Sequence, residues 1–177
     1  MLHEIIMAGF GGQGVLSMGK ILAEAALAEG KHVSWIPSYG PEMRGGTANC
    51  NVVLADEEVS SPIVSQASVA IIMNKPSLDK FEKRVVSGGM LIINSSLIDR
   101  KPSRDDITVY YVPANAIAGD LGNSKVANMV MLGAFLAATS AVRTESLEEA
   151  IEENFSRSKA SIVGINKQAL AAGLTSI

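Results

Sequence analysis

The sequence predicts an α/β protein, a three-layer α/β/α arrangement around one mostly parallel sheet. Three observations carry that expectation. Six short runs, at residues 4–8, 32–36, 48–55, 69–73, 90–93 and 108–112, have strand length, and the first, 4–8, shows little polar alternation, as a strand covered on both faces does. Segments with apolar residues at helical spacing stand between and after these runs. The turn Gly9-Phe10-Gly11-Gly12-Gln13-Gly14 joins the first run to the first helical segment, as at the start of a β-α-β unit. The sheet expected is therefore Rossmann-like. The 177 residues are enough for a real core and predict one domain, 1–177.

Taken in order, residues 15–29 place Val15, Met18, Leu22, Ala25 and Ala26 on one helical stripe, with Lys20 and Glu24 one turn apart on the other side. Gly30 ends that helix. The crossover then predicts that strands one and two are parallel. Residues 37–46 form a long loop. The third strand runs into an acidic turn, Asp56-Glu57-Glu58. Residues 76–86 predict a helix capped by Ser77, with Gly88-Gly89 beyond its end. After strand six the chain is mostly helical, at 115–121, 125–140, 146–155 and 161–172. Ser146 is expected as a cap, with Glu148-Glu149 in the first turn. The stretch 126–138 is apolar almost all round. It is either a central core helix or a helix with one face against a partner.

Composition narrows the function classes. The chain is 47% hydrophobic and 19% charged with a net charge of −3, which does not suit nucleic acid or an anionic membrane surface as a general partner. Its one cysteine, Cys50, can form no internal disulfide and cannot hold an iron–sulfur cluster. It is expected as a buried, inert thiol. The first residues lack the basic-then-apolar order of a signal peptide, and 126–138 is too short to span a bilayer, so a cytoplasmic location is expected. The two histidines, His3 and His32, read as structural, and the sequence carries no pattern of Ser, His and Asp that suggests a hydrolase.

Two loops carry chemistry. Gly9, Gly11 and Gly14 fit the G-x-G-x-x-G spacing, in which glycines let the backbone approach a phosphate and the helix start offers free N–H groups. The alternative is a turn that only shapes the backbone. A nicotinamide dinucleotide normally also finds an acid at the end of strand two. Here that strand ends Trp35-Ile36-Pro37-Ser38, with neither an acid nor an arginine. The second loop, Ser38-Tyr39-Gly40-Pro41-Glu42-Met43-Arg44-Gly45-Gly46, combines rigidity with glycine freedom. Its Arg44 either reaches an anion or pairs locally with Glu42. Lys75, next to Asn74 after strand four, is either a phosphate contact or a solvated lysine before a helix.

Taken together, the glycine turn 9–14, the loop 38–46 and the run Asn-Met-Val-Met-Leu-Gly at 128–133 resemble the gamma subunit of 2-oxoacid:ferredoxin oxidoreductases. The resemblance covers essentially the whole chain. It implies a non-autonomous subunit of an enzyme that decarboxylates a 2-oxoacid on thiamine diphosphate, passes electrons through [4Fe–4S] clusters to ferredoxin, and delivers the acyl group to coenzyme A. Pyruvate, 2-oxoglutarate and 2-oxoisovalerate are the substrates of that family, and its alpha, beta and delta subunits are the implied partners. Thiamine, Mg and the clusters belong to those partners. This chain is left to help bind coenzyme A and cover the thiamine site. The residues agree: Gly119-Asp120 is followed by Leu121, and no Asn-Asn pair follows to complete a magnesium–diphosphate motif. On this reading Gly11, Gly12, Gln13 and Gly14 are the first candidates for coenzyme A. Ser38, Tyr39, Arg44 and Lys75 come second. The glycine turn could instead buttress a subunit interface. Two other functions are weighed against this one: a stand-alone NAD(P)-binding oxidoreductase, and a nucleotide-binding module that is not an enzyme and forms homodimers.

Overall fold

A computed structural model describes residues 1–38 and 47–177. Apolar runs become the strands β1 (Leu2–Phe10), β2 (His32–Ser38), β3 (Thr47–Ala55), β4 (Ala67–Ile72), β5 (Val85–Asn94) and β6 (Thr108–Val112) of one sheet, ordered β2-β3-β1-β4-β5-β6. β1, β4, β5 and β6 pair in parallel. β3 is antiparallel to both of its neighbours, β1 and β2.

The lack of alternation in the central runs has a direct cause. Ile5 and Met7 of β1 enter one core, and Ile6 and Ala8 enter the other. Val69 and Ile71 of β4 likewise face away from Ala70 and Ile72. Both faces are dry, so both parities are apolar.

The first face is covered by five helices: α1 (Val15–Ala28), α3 (Ala114–Asp120), α4 (Ala127–Thr139), α5 (Thr144–Asn154) and α6 (Ala160–Leu174). Among the described residues, the second carries α2 (Lys75–Phe81) and the segments around Val59, Val64, Ile98 and Ile107. The sheet thus has helices on both sides, as the three-layer expectation requires, but unevenly.

Ten consecutive residues of α4, Ala127 to Leu136, are buried within this chain. The core-helix alternative therefore describes this face of the protein. α4 and α6 cross where Gly133 meets Gly173: a Cβ on Gly133 would overlap the Leu170 carbonyl oxygen and lie 2.9 Å from Gly173 Cα. Two side chains reduced to hydrogen let the backbones touch and gain dispersion contacts along both helices.

Several local expectations need correction. β1 and β2 do run in the same direction, but they are not neighbours, because β3 lies between them. An apolar run carries no sign of its direction, so the reversal was invisible. The helix expected over 76–86 ends at Phe81, followed by a 3-10 turn at Glu82–Arg84, and β5 begins at Val85. Gly88-Gly89 lies inside β5, not after a helix. Ala67 pairs with Val85 and Val69 with Met90, so the extra residues of β5 bulge out of the ladder there. Asn74, not Ser77, caps α2: its side-chain oxygen accepts from the Ser77 N–H at 2.9 Å. Ser146 lies buried inside the first turn of α5, which starts at Thr144. The start of that helix is held instead by Glu29, whose carboxylate accepts from the Arg143 N–H at 2.6 Å. Among the described residues, no helix is long and apolar enough to cross a membrane.

Candidate functional site

The glycine turn sits where β1 runs out into α1. Gly14 stands at the helix start with φ 75°, ψ 23°, a left-handed conformation that glycine adopts without steric cost. No side chain caps this helix. The first-turn N–H groups, those of Val15, Leu16 and Ser17, therefore have no carbonyl behind them to accept. They open toward a cavity of about 240 Å³ lined by Phe10, Gly11, Gly12, Leu16, Ser17 and Ala48, among others. The positive end of a 14-residue helix faces the same way.

Gln13 fixes the shape of this turn. Its side-chain oxygen accepts from the Phe10 N–H at 2.6 Å, and its amide nitrogen donates to the Met73 carbonyl at 3.3 Å. The ends of β1 and β4 are thereby stitched together. Its backbone N–H donates to Phe10 O at 3.2 Å. Most of what Gln13 could offer a ligand is spent within the protein.

From the other side, Asn128 at the start of α4 donates to the Gly14 carbonyl at 3.1 Å, while its own oxygen accepts from the Met129 N–H at 3.0 Å. A side chain at position 14 would collide with that amide. The Asn and Gly ends of the 128–133 run thus both serve the architecture. Asn128 ties the glycine turn to the helix layer, and Gly133 lets α6 approach.

A second cavity, of about 220 Å³, lies across the turn. It is lined by Gly12, Gln13, Met73, Asn115, Ser124, Lys125 and Ala127. Lys125 is exposed, and among the described residues no carboxylate pairs with it. Sequence reading missed Asn115, Ser124 and Lys125, because they lie some 100 residues from the turn and match no motif. A lysine just ahead of a helix start, on the ligand end of the sheet, was the only signal available.

Of the other candidates, Ser38 ends β2, exposed and paired with Asn49, which in turn pairs with Ala8. That row puts Ser38 at the same end of the sheet as the glycine turn. Tyr39 and Arg44 lie outside the described residues. Lys75 stands on α2 and pairs with Asp99 at 3.7 Å. It is not among the residues lining either cavity.

A larger hollow, about 520 Å³, is at the opposite end, where Glu4, Asp56, Glu57 and Glu58 contribute to its lining. Those carboxylates repel phosphate, so size is a poor guide here. Cys50 is buried, with its thiol donating weakly to Val15 O at 3.7 Å, and burial pushes the thiol up to about 12. His3 packs edge-on against Phe135, with ring centroids 6.4 Å apart. Among the described residues, no group of three His, Cys, Asp or Glu side chains could hold a metal.

The nicotinamide reading loses its frame as well. In a dinucleotide fold the strand beside β1 is parallel and ends in the ribose-binding acid. Here the neighbour is the antiparallel β3, and the acid-free β2 is the edge strand.

Residues 4–176 match the family described as pyruvate ferredoxin/flavodoxin oxidoreductase. Over 171 residues the chain is 44% identical to ketoisovalerate oxidoreductase subunit VorA of Methanothermobacter marburgensis, a match covering 96% of this chain but 35% of that protein. The chain therefore spans about a third of the length of that relative. It is 37% identical over 155 residues to 2-oxoglutarate synthase subunit KorC of Methanocaldococcus jannaschii, covering 85% of this chain and 82% of that one. The solved gamma subunit of a keto/oxoacid ferredoxin oxidoreductase from Geobacter sulfurreducens superposes with a TM-score of 0.82 at 32% identity, covering 97% of this chain and 95% of that chain.

Proposed function

The chain belongs to the pyruvate ferredoxin/flavodoxin oxidoreductase family, and from that premise we propose that it serves as the gamma subunit, or the equivalent domain, of a 2-oxoacid:ferredoxin oxidoreductase. The assembled enzyme would convert a 2-oxoacid and coenzyme A to an acyl-CoA and CO₂, with the electrons going to ferredoxin. Ketoisovalerate and 2-oxoglutarate, the compounds in the names of the two curated relatives, are the substrates we favour over pyruvate.

Thiamine diphosphate, Mg and [4Fe–4S] clusters are assigned to alpha, beta and delta-type partners. The residues here do not fit them: the one thiol is buried inside the sheet layer, and Gly119-Asp120 closes a helix. Coenzyme A does fit. The uncapped start of α1 behind Gly11–Gly14 is the observation that carries this assignment. Gly11, Gly12 and Gly14 would present N–H groups to its diphosphate, and Gln13 would hold the turn in shape. Ser38 would add a hydroxyl from the end of β2, and Tyr39 and Arg44, outside the described residues, remain candidates on sequence alone. Lys75, engaged with Asp99, stays a secondary candidate. A cytoplasmic location and one domain over 1–177 go with this reading.

Coexpression with its neighbouring genes, purification through a tag on this chain and a viologen-reduction assay test the proposal. The expected result is copurification of thiamine- and cluster-bearing chains, with reduction dependent on both 2-oxoacid and coenzyme A. Gly11→Asp, which puts a carboxylate on an exposed turn, should raise the KM for coenzyme A roughly tenfold or more. Turnover by the chain alone with a nicotinamide coenzyme would overturn the proposal.

A further inference from the structure

We infer that the Lys125 cavity is a second anion subsite, which takes a phosphate monoester of the same ligand whose diphosphate lies against the start of α1. This rests on the coenzyme A reading above and adds to it a part of the ligand and the residues that would recognise it.

The polarity of the cavity can be derived from one buried side chain. Asn94, at the end of β5, is fully buried, and its oxygen accepts from the Ser96 N–H at 3.3 Å. A backbone N–H can only donate, so the orientation of the Asn94 amide is fixed. Its nitrogen must then donate, and it does so to the side-chain oxygen of Asn115 at 2.7 Å. Asn115 is thereby oriented in turn. Its oxygen is turned toward Asn94, which leaves its NH₂ group to donate toward the cavity it lines.

The same reasoning applies to Gln13, whose oxygen accepts from Phe10 and whose nitrogen keeps one hydrogen beyond the bond to Met73. Lys125 adds three donors and a full positive charge, and Ser124 a hydroxyl. Among the described residues, no carboxylate lines the cavity. Its side chains therefore offer donors and positive charge, which is the chemistry of an oxyanion site.

Position supplies the rest. Gly12 lines both this cavity and the one at the start of α1, so the two adjoin across the turn. At about 220 Å³, the Lys125 cavity holds the equivalent of roughly seven waters, enough for a phosphoryl group. A ligand that lays a diphosphate against α1 can reach over Gly12 with a further phosphate on its nucleoside end. Coenzyme A carries such a monoester, and dephospho-coenzyme A lacks it.

The test uses the purified multi-subunit enzyme and compares the affinities of these two compounds in wild type and Lys125→Gln. Lys125 is exposed, so the variant should fold, with an unchanged Tm as the control. Wild type should bind coenzyme A about tenfold or more tightly than dephospho-coenzyme A. Lys125→Gln should lose most of that preference while its affinity for dephospho-coenzyme A stays the same, and Lys125→Arg should restore it. An equal loss for both compounds would assign Lys125 to the diphosphate and overturn the inference while leaving the coenzyme A reading intact. So would no loss for either. Failure of the wild-type enzyme to bind either compound would overturn both.

Discussion

The side-chain amide of Asn128 reaches back 114 residues to donate to the Gly14 carbonyl at 3.1 Å. With Met129 N–H on its oxygen, the same side chain ties a ligand-facing turn to the most buried helix of the fold. Asn128→Ala removes both bonds in a largely dry setting: the Met129 N–H loses its side-chain acceptor and the Gly14 carbonyl keeps only the Met18 N–H at 3.0 Å. It should cost about 1–3 kcal/mol in chemical denaturation, and the KM for coenzyme A should rise because the turn loses its support. Unchanged stability would mean that the turn is held by Gln13 alone.

The meeting of α4 and α6 gives a sharper contrast. Gly133→Ala or Gly173→Ala drives a methyl into a backbone carbonyl of the facing helix. Either should destabilise by about 3 kcal/mol or more, or prevent folding. Gly164, also on α6, has nothing within 4 Å of where its Cβ would lie. Gly164→Ala should instead stabilise by about 0.5–1 kcal/mol, because alanine loses less backbone entropy in a helix. Thermal melts of the three variants check both signs at once.

Much of this fold could be read from the sequence because central strands and a buried helix reveal themselves by being apolar on every side. What could not be read is directional or distant. The reversal of β3 leaves no mark on its composition, and Gly88-Gly89 reads as a stop when it is a bulge within β5. The glycine turn was legible as a local motif, with its helix and strand. Its partners Asn128, Lys125 and Asn115 become partners only when the chain has folded, since each lies 100 residues or more away.

On the thinly covered face, Glu82 is buried and accepts from Arg100 at 3.3 and 3.4 Å and from the Ser103 N–H and hydroxyl, each at 3.2 Å. These bonds hold the segment after β5 against the 3-10 turn. Glu82→Ala removes four acceptor contacts together and should cost about 2–3 kcal/mol, even though Arg100 keeps Asp79. Faster hydrogen exchange confined to residues 98–106 would accompany the loss.

The Cys50 thiol, ordinarily near 9.0, is pushed up to about 12 by burial. Its folded value lies above its unfolded one, so its contribution to stability is complete below pH 9. It is lost progressively as the pH rises from about 9 toward 12. Below pH 9 the native protein should resist a thiol reagent and react once denatured. Cys50→Ala should lessen the alkaline loss of stability. Rapid labelling of the folded protein at pH 8 would contradict this.

Because β3 runs backwards between β1 and β2, the chain leaves the sheet at Ser38 and rejoins it at Thr47 on a single rim. Asn49 anchors the first of these points and Phe10 the second, each through the ladder. Residues inserted or deleted between them would lengthen or shorten a connection without shifting any register in the sheet. Strand pairing, and not the span between these two points, sets how the edge strands align.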